Sequence, residues 1–400
     1  MDGRPAVRSE AAVGLGRYIA LVGEPVTRRI GIPSAVARLP LGMTALALLL
    51  LVQRDSGSFA LAGGVAASFA LASGLTSPIR GRLVDRFGPM PVLMATGVLQ
   101  PFALLSVVLF STWLRDDAGV VVAAAAAGAT LPPVGPVVRV LWQRLPSAGL
   151  CEAAFALDAV LLQVIYYGVG PPLVTALTVL HSPELAMFVI AGLTAVGTVL
   201  VASAPACRVR PAARERPPPW GALAAPGIAG VLVTVLVSSA AIGALEVAVT
   251  GFAAEHAMAG LAGLYLAAFG LGSIAGGLWY GSRSSRRALG AQYRLWLAVT
   301  IAGFAPLPLC SGPGWLAAFL VVGGFAVAPA SIVQFRLVGE LAQDSVLTEA
   351  FTWLLSASLA GAAVGNAAAG AVVEKAGSTA ALGTALVLSA AAFLLSLELS

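Results

Sequence analysis

The sequence SPIRGRLVDRFGP, residues Ser77–Pro89, separates two runs of almost pure hydrocarbon, 59–76 and 90–110. Each run is close to the length of an apolar helix that crosses a bilayer, about 20 residues. The stretch between them is short, contains glycine and is rich in arginine. Because short basic loops between spanning helices lie on the cytoplasmic side, Ser77–Pro89 predicts a cytoplasmic loop between two crossings.

The whole chain has the composition of a membrane protein. It is 59% apolar and 10% charged, whereas ordinary globular proteins are about 25% charged. A membrane β-barrel would show alternating apolar and polar residues, and the sequence shows no such alternation. The composition therefore predicts an all-α polytopic protein that lies in a lipid bilayer and has no nucleic-acid partner.

Twelve apolar segments are long enough to be spanning helices. The predicted spans are 33–52, 59–79, 90–111, 118–140, 151–179, 185–204, 222–250, 258–280, 294–311, 315–338, 347–373 and 378–397. A polar, Pro-rich interval divides them into two groups of six and predicts a stiffened linker. We therefore predict an N-terminal segment at 1–31 with an interfacial helix around Tyr18–Val22, one half at 32–204, a linker at 205–221 and a second half at 222–400.

Arginine is distributed unevenly between the two sides of the predicted bundle. One side receives only Arg54, Arg115 and Lys375. The other side receives Arg80, Arg82, Arg86, Arg139, Arg144, Arg208, Arg210, Arg214, Arg216, Arg283, Arg286, Arg287, Arg294 and Arg336. By the positive-inside rule, this second side and both termini are predicted to be cytoplasmic, in a bacterial plasma (inner) membrane.

The stretch Ser77–Pro89 resembles a signature of the major facilitator superfamily, roughly G-x-L-x-D-R-x-G between helices 2 and 3. The matching residues are Gly81, Leu83, Asp85, Arg86 and Gly88. The resemblance implies the superfamily fold of two six-helix bundles. It also implies a cytoplasmic latch: Asp85 faces the positive N-terminal end of helix 11, Arg86 holds Asp85, and Gly81 lets helices 2 and 11 approach. The alternative is a loop whose charges serve only topology.

Two pairs of short sequences indicate that the halves are related by duplication. Gly81–Leu83 is echoed by Gly276–Leu278, and Glu152–Phe155 by Thr348–Phe351, at nearly the same displacement. Parallel repeats of this kind relate the two halves of superfamily members. In the second copy Tyr280 stands where the aspartate would be, so the latch is not expected to be symmetric.

Glycine and proline mark predicted contacts between helices. In span 5, Gly168, Gly170 and Pro171 resemble the antiporter motif of drug:proton exporters in this superfamily; the alternative is a kinked structural helix. Small-xxx-small pairs occur in spans 8 and 11, at Gly272/Gly276 and Gly361/Gly365. In the superfamily, helices 5 and 8, and helices 2 and 11, meet between the halves. We therefore expect these glycines at contacts where the halves re-pack.

Three charged residues fall inside predicted spans, where charges are functional candidates. Arg38 in span 1 and Asp158 in span 5 have similar depth from one face and could form a pair, which would make both structural. Glu246 lies in the outer third of span 7, with no basic residue near it in the sequence. An embedded carboxylate can carry a proton, so Glu246 is the candidate for proton coupling; the alternative is an acid at the outer interface.

Motifs for catalysis, ATP hydrolysis and metal binding are absent from the sequence. It contains no G-x-x-x-x-G-K-[ST], no H-E-x-x-H and no G-x-S-x-G, and its cysteines and histidines are isolated. We therefore predict that the protein is not an enzyme and needs no cofactor or metal. The arginine that drug exporters place within helix 4 is also missing, since Arg139 is expected at the cytoplasmic end of span 4.

These features together predict a secondary active transporter, a monomer that exports a small amphipathic molecule by alternating access, driven by protons. The predicted cavity between spans 1, 4, 7 and 10 is lined mostly by Ala, Val, Leu and Gly, which argues against heavily hydroxylated substrates. An uptake or uniport carrier of the same fold is the alternative within the class. Outside the class, the alternatives are a non-transporting membrane scaffold or sensor and a polytopic membrane enzyme, for which convergent catalytic side chains are missing.

Overall fold

The computed structural model describes residues 15–208, 221–256, 262–283, 287–310 and 312–398. Within these ranges all regular elements are helices. Most of the predicted linker 205–221 and the first part of the predicted N-terminal segment 1–31 lie outside the described residues. A helix, Leu15–Gly23, occupies the place of the predicted interfacial helix and is called the N-terminal helix; its interfacial location stays a prediction.

Ten helical segments of the described chain are long and apolar enough to cross a membrane, judged by length and composition. In chain order, span 1 is Pro25–Ser56, span 2 Leu61–Phe87, span 3 Pro89–Leu114, span 4 Asp117–Gln143, span 5 Gly149–Leu180, span 6 Pro183–Ser203, span 7 Ile228–Glu255, span 8 Ala262–Gly281 and span 10 Gly314–Leu341. The tenth segment, Asp344–Ser396, is long enough for two crossings.

Two further details bring the described spans to twelve. Gly377 has a left-handed backbone, with φ 82°, which divides the last segment into span 11 before it and span 12 after it. Glycine adopts this conformation without the steric cost that a Cβ would add. The helix Leu289–Phe304 has 16 residues, falls short of full crossing length and occupies the place of predicted span 9. The all-α architecture of two six-helix halves is therefore confirmed.

The structure corrects the prediction of a loop at Ser77–Pro89. The helix of span 2 continues to Phe87, and the chain reverses at Gly88 alone, whose φ is 88°. The N–H of Gly88 still donates to the carbonyl of Val84 at 2.8 Å, and Pro89 opens span 3 at a position where its missing N–H costs nothing. The side chains of Leu83, Asp85 and Arg86 therefore project from a helix, and the helix fixes the direction of each side chain.

Apolar packing differs between the two ends of the bundle. We call the end that contains Gly88 the motif face. One apolar cluster at the motif face contains residues of both halves, including Val84, Phe155, Val333 and Phe351. At the opposite face the halves have separate clusters, one around Leu48 and Ile190, the other around Leu245 and Leu382. Among the described residues, the apolar clusters therefore join the halves at the motif face and stay separate at the opposite face.

Candidate functional site

The carboxylate of Asp85 joins the two halves at the motif face. It accepts hydrogen bonds from the backbone N–H groups of Thr348 at 3.1 Å and Glu349 at 2.8 Å. These N–H groups belong to the first turn of the span 11 helix, which begins at Leu347. They have no partner within their own helix, and a carboxylate at this end is stabilised by roughly 0.3–1 kcal/mol, or up to about 2 when partly buried.

Gly81 lies one helical turn before Asp85 and allows spans 2 and 11 to touch. A Cβ at this position would stand 2.3 Å from Oγ1 of Thr352 and 2.8 Å from Cα of Glu349. The second distance involves backbone, which cannot move aside as a flexible side chain would. The position therefore requires glycine as long as the motif face is closed.

Arg82, rather than Arg86, supplies the arginine of this contact. The Arg82 guanidinium binds the Glu349 carboxylate through two hydrogen bonds of 3.1 and 2.8 Å. Arg86 is exposed and lies over the ring of Phe87, 5.1 Å from its centroid. Within the described residues it forms no ion pair with Asp85, so the prediction that Arg86 holds the aspartate is wrong.

Two side-chain hydrogen bonds extend this contact toward the middle of the membrane. The hydroxyl of Ser77 donates to the carbonyl of Thr352 at 3.4 Å, and that of Ser356 donates to the carbonyl of Gly74 at 2.6 Å. We call this set of contacts between spans 2 and 11, from Gly74 to Asp85, the first seam.

A second seam joins span 5 to spans 8 and 10, with help from the N-terminal helix. The Glu152 carboxylate at the start of span 5 binds Arg336 of span 10, in the other half. It also pairs with Arg17 of the N-terminal helix at 3.5 Å. Glu152 and Arg17 are buried, so this ion-pair network lies largely out of water.

Tyr18 adds a further bond between the N-terminal helix and span 8. Its hydroxyl donates to the carbonyl of Leu278 at 3.0 Å. Burial raises the pKa of Tyr18 to about 12, despite the lowering effect of Arg17, so the phenol keeps the proton that it donates. A Cβ on Gly281 would stand 2.4 Å from this hydroxyl and 2.3 Å from Cβ of Ala156, so close packing again depends on glycine.

Aromatic rings fill the space between the seams. The ring of Phe155 in span 5 lies 5.8 Å from that of Phe335 in span 10 and 6.3 Å from that of Phe351 in span 11. Both neighbours belong to the other half. Aromatic pairs at such distances contribute about 0.5–1.5 kcal/mol beyond the area that they bury, and they close the path between the seams.

The embedded charges of the first half form one buried cluster. Arg38 of span 1 pairs with one oxygen of Asp158, and Nε of Arg139 donates to the other at 3.0 Å. The guanidinium of Arg139 also lies over the ring of Phe335, 4.0 Å from its centroid. We call Arg38, Arg139 and Asp158 the charge cluster.

Two arginines assigned to the cytoplasmic surface are in fact buried. The second segment of span 4, Val134–Gln143, continues beyond the predicted end of the span at residue 140, so Arg139 lies within the helix and pairs with Asp158 inside the bundle. The neighbouring Pro132-Pro133 was the sequence signal for the interruption of span 4 before Val134. Arg80 donates to the carbonyls of Gly128 and Leu131, where that interruption leaves carbonyls without helical partners.

The small-residue pairs of spans 8 and 11 do not lie between the halves. Cβ atoms on Gly272 and Gly276 would meet carbonyls of span 10, and Cβ atoms on Gly361 and Gly365 would meet carbonyls of span 7. All four contacts are within the second half, so the expectation of moving contacts is wrong. Each pair lies on a different side of its helix from the residues that meet the first half.

Gly170 of the antiporter-like motif in span 5 packs within its own half, although the preceding turn Val164–Val169 also contacts span 8. A Cβ on Gly170 would stand 2.6 Å from the backbone of Gly42 in span 1. Gly168 lies in a π-helical turn, Val164–Val169, which widens the helix just before Gly170 and Pro171. The irregular turn agrees with the kinked-helix alternative. Whether the motif has a role in transport stays a prediction.

Glu246 is the third embedded charge that the sequence singled out. Glu246 is half-buried in span 7 and takes part in an interaction there, so an argument from an unpartnered carboxylate does not apply to it.

Among the described residues, no group of three or more His, Cys, Asp or Glu side chains could hold a metal ion.

Comparisons with known proteins agree with this architecture. The sequence profile of the Major Facilitator Superfamily matches residues 33–342. No protein of curated function is significantly similar in sequence. The fold is similar to the crystal structure of the human organic anion transporter MFSD10 (TETRAN), with a TM-score of 0.73 and 17% identity over 93% of this chain and 100% of that one.

Two further solved structures share the fold. A bacterial homologue of the iron transporter ferroportin in an outward-facing state has a TM-score of 0.75 and 13% identity, over 94% of this chain and 99% of that one. The E. coli fucose:proton symporter has a TM-score of 0.74 and 14% identity, over 94% of this chain and 100% of that one. Identities this low support the shared fold alone.

Proposed function

Because this chain belongs to the Major Facilitator Superfamily of membrane transporters, we propose that it moves a small amphipathic molecule by alternating access. The observation that carries the proposal is the difference between the two ends of the bundle. One apolar cluster joins the halves at the motif face, and two separate clusters stand at the opposite face. Opening the seams and closing the opposite face would expose the space between the halves to the other side.

The proposed orientation places the motif face in the cytoplasm, so that the described state is outward-facing. The exposed basic residues support this orientation, because Arg28, Arg29, Arg144, Arg208 and Arg283 lie at the motif face. The opposite face has few, namely Arg54, Arg115 and Lys375. Both termini are then cytoplasmic in a plasma membrane.

Cysteine labelling tests the orientation. In a chain whose three natural cysteines are replaced, a membrane-impermeant maleimide added to intact cells should modify Asp116→Cys and spare Arg208→Cys. Both positions are exposed, so a difference in labelling reports the side of the membrane. Modification of Arg208→Cys alone would invert the topology.

The proposed direction is efflux, coupled to protons. Everted membrane vesicles with the protein should accumulate members of a panel of fluorescent amphipathic compounds when respiration acidifies their lumen. Vesicles with Gly81→Leu, which blocks closure of the first seam, are the matched control. Gradient-driven loss of the compound from the everted vesicles would favour an uptake carrier. Equilibration of the compound that needs no proton gradient would favour a uniporter, and no flux would favour a scaffold or sensor.

Glu246 is the proposed coupling residue, because it is an acidic side chain inside span 7. Glu246→Gln keeps the shape and removes the proton site, so gradient-driven accumulation should be lost while exchange of labelled for unlabelled substrate continues. Glu340→Gln, at an exposed carboxylate of the motif face, is the control. Full gradient-driven transport by Glu246→Gln would remove the residue from the coupling mechanism.

A further inference from the structure

The charge cluster contains more positive than negative charge. Arg38, Arg139 and Asp158 are 1%, 5% and 4% exposed, and two guanidinium groups share one carboxylate. Within the described residues, no second carboxylate pairs with either arginine. A net positive charge held away from water inside a membrane protein is costly unless another group compensates it.

The two arginines also have donors for which the described residues provide no hydrogen bond. Nε of Arg38 is buried and has no hydrogen-bond partner among the described residues. The hydrogen bonding of Arg139 in the described chain is limited to the bond from Nε to Asp158. Its terminal nitrogens are therefore available, and an arginine fork matches the geometry of a carboxylate or another oxyanion.

Open space adjoins the unused donor of Arg38. A Cβ built on Gly135 would have Nε of Arg38 as its neighbour at 3.9 Å, with no other heavy atom within 4 Å beyond its own helix. Gly135 thus leaves room beside the guanidinium that an alanine methyl group would take. A ligand atom that reaches this space would approach the buried donor directly.

The cluster is covered by the other half of the protein. The ring of Phe335 in span 10 lies on the Arg139 guanidinium, and Phe335 in turn packs against Phe155. Opening of the motif face, as proposed above, would carry Phe335 away with the second half. The face of Arg139 would then be uncovered on the path between the halves.

We propose that the transported molecule carries a negatively charged oxyanion, of the carboxylate class, which Arg38 and Arg139 bind when the motif face opens. This inference rests on the proposed function and names the substrate class of its central site. The anion would compensate the excess positive charge and accept from the unused donors. Asp158 would remain between the two arginines and keep them in position.

The test compares ligands that differ only in charge. Protein in lipid nanodiscs is titrated with a panel of aromatic carboxylates, such as 1-naphthoate, and with the corresponding neutral amides. Asp85→Asn, which opens the motif face, should bind carboxylates at least threefold more tightly than the wild type does. Across the panel, carboxylates should bind at least tenfold more tightly than their amides. An equal affinity for acids and amides would overturn the proposal.

Two variants locate the site. Arg139→Gln should lower carboxylate affinity at least tenfold, whereas the exposed Arg144→Gln should not. Gly135→Ala fits the closed structure without a clash and should lower carboxylate affinity about threefold while leaving amide binding unchanged. If Gly135→Ala binds carboxylates as the wild type does, the site is not beside Arg38.

Carboxylate binding without any transport would contradict the proposed function and leave the anion site standing. Transport with no preference for anions would support the proposed function and overturn the anion site.

Discussion

In the first seam the carboxylate of Asp85 binds backbone N–H groups of the facing helix, in addition to the ion pair between Arg82 and Glu349. In the second seam the carboxylate of Glu152 is bound by arginine side chains. Asp85 reaches the start of span 11 directly. In the second half Tyr280 stands near the corresponding place, and its hydroxyl bonds to Gln292 of the same half. Glu152, on the facing helix, therefore carries the acidic group of the second seam.

The two seams share close packing at glycine. Gly81 meets Thr352 in the first seam, and Gly281 meets Ala156 in the second. The two glycine contacts are not copies of one another, because Gly276, the sequence echo of Gly81, meets span 10 of its own half. Backbone N–H groups are available at any helix start, whereas the second seam depends on side chains from span 10 and the N-terminal helix.

The largest effect is expected from Gly81→Leu. The new side chain would overlap the backbone of Glu349, and overpacking a tight contact costs about 1–3 kcal/mol or more. Spin labels at the exposed positions 86 and 343 should move apart in most molecules, and any transport activity should fall at least tenfold. Gly74→Ala is the control, because a Cβ there has nothing within 4 Å. A closed distance in Gly81→Leu would show that the contact accommodates a large side chain and does not require glycine.

The next effect is expected from Asp85→Asn. Hydrogen bonds to charged groups contribute about 1.5–3 kcal/mol and neutral ones about 0.5–1.5, so the motif-face-open population should rise roughly tenfold. The same label pair measures this population. Asp116→Asn is the matched control, since Asp116 caps span 4 within its own half at the opposite face. Equal distance distributions for the two variants would reduce Asp85 to a topology signal.

A smaller effect is expected from Arg336→Gln in the second seam. The substitution removes the ion pair that crosses between the halves, but Arg17 remains to neutralise Glu152. Removing one partner of a buried pair can cost 3–5 kcal/mol, and the remaining arginine should reduce the loss to about 1 kcal/mol. Spin labels at 144 and 283 should then report an open population about fivefold higher.

Arg17→Gln provides the comparison within that network. It leaves the bond between halves intact, so its effect on the 144–283 distance should be smaller than that of Arg336→Gln. The opposite order would mean that the N-terminal helix, and not span 10, holds the second seam closed.

The smallest effect is expected from Tyr18→Phe. It removes one neutral hydrogen bond, from the phenol to Leu278, which contributes about 0.5–1.5 kcal/mol. The open population should rise about threefold at the second seam and stay unchanged at the first. Tyr280→Phe, which loses a bond within one half, should leave both distances unchanged. A response at both seams would show that they open together.

The first seam was expected from the sequence because Gly81 and Asp85 match the superfamily signature, and that resemblance implies a contact between helices 2 and 11. Asp85 and Gly81 are one helical turn apart, and the partner of Asp85 is a backbone group that any helix start provides. The second seam was not, since Arg17, Glu152 and Arg336 are brought together from three distant elements. Glu152 appeared in the sequence only as part of an echo, without a partner.

Hydropathy and a short motif depend on neighbouring residues, so the sequence by itself was sufficient for the spanning helices and for the resemblance to the superfamily. The contact of Asp85 with span 11 was expected only as what that resemblance implies. Tertiary structure decided which arginines are buried and which helix each glycine meets. Each helical residue turns the side-chain direction by about 100°, so a small rotation or one interrupted turn moves a residue from lipid to core. Arg139 lies inside the bundle in a helix that continues to Gln143, and Gly276 meets span 10 instead of span 5.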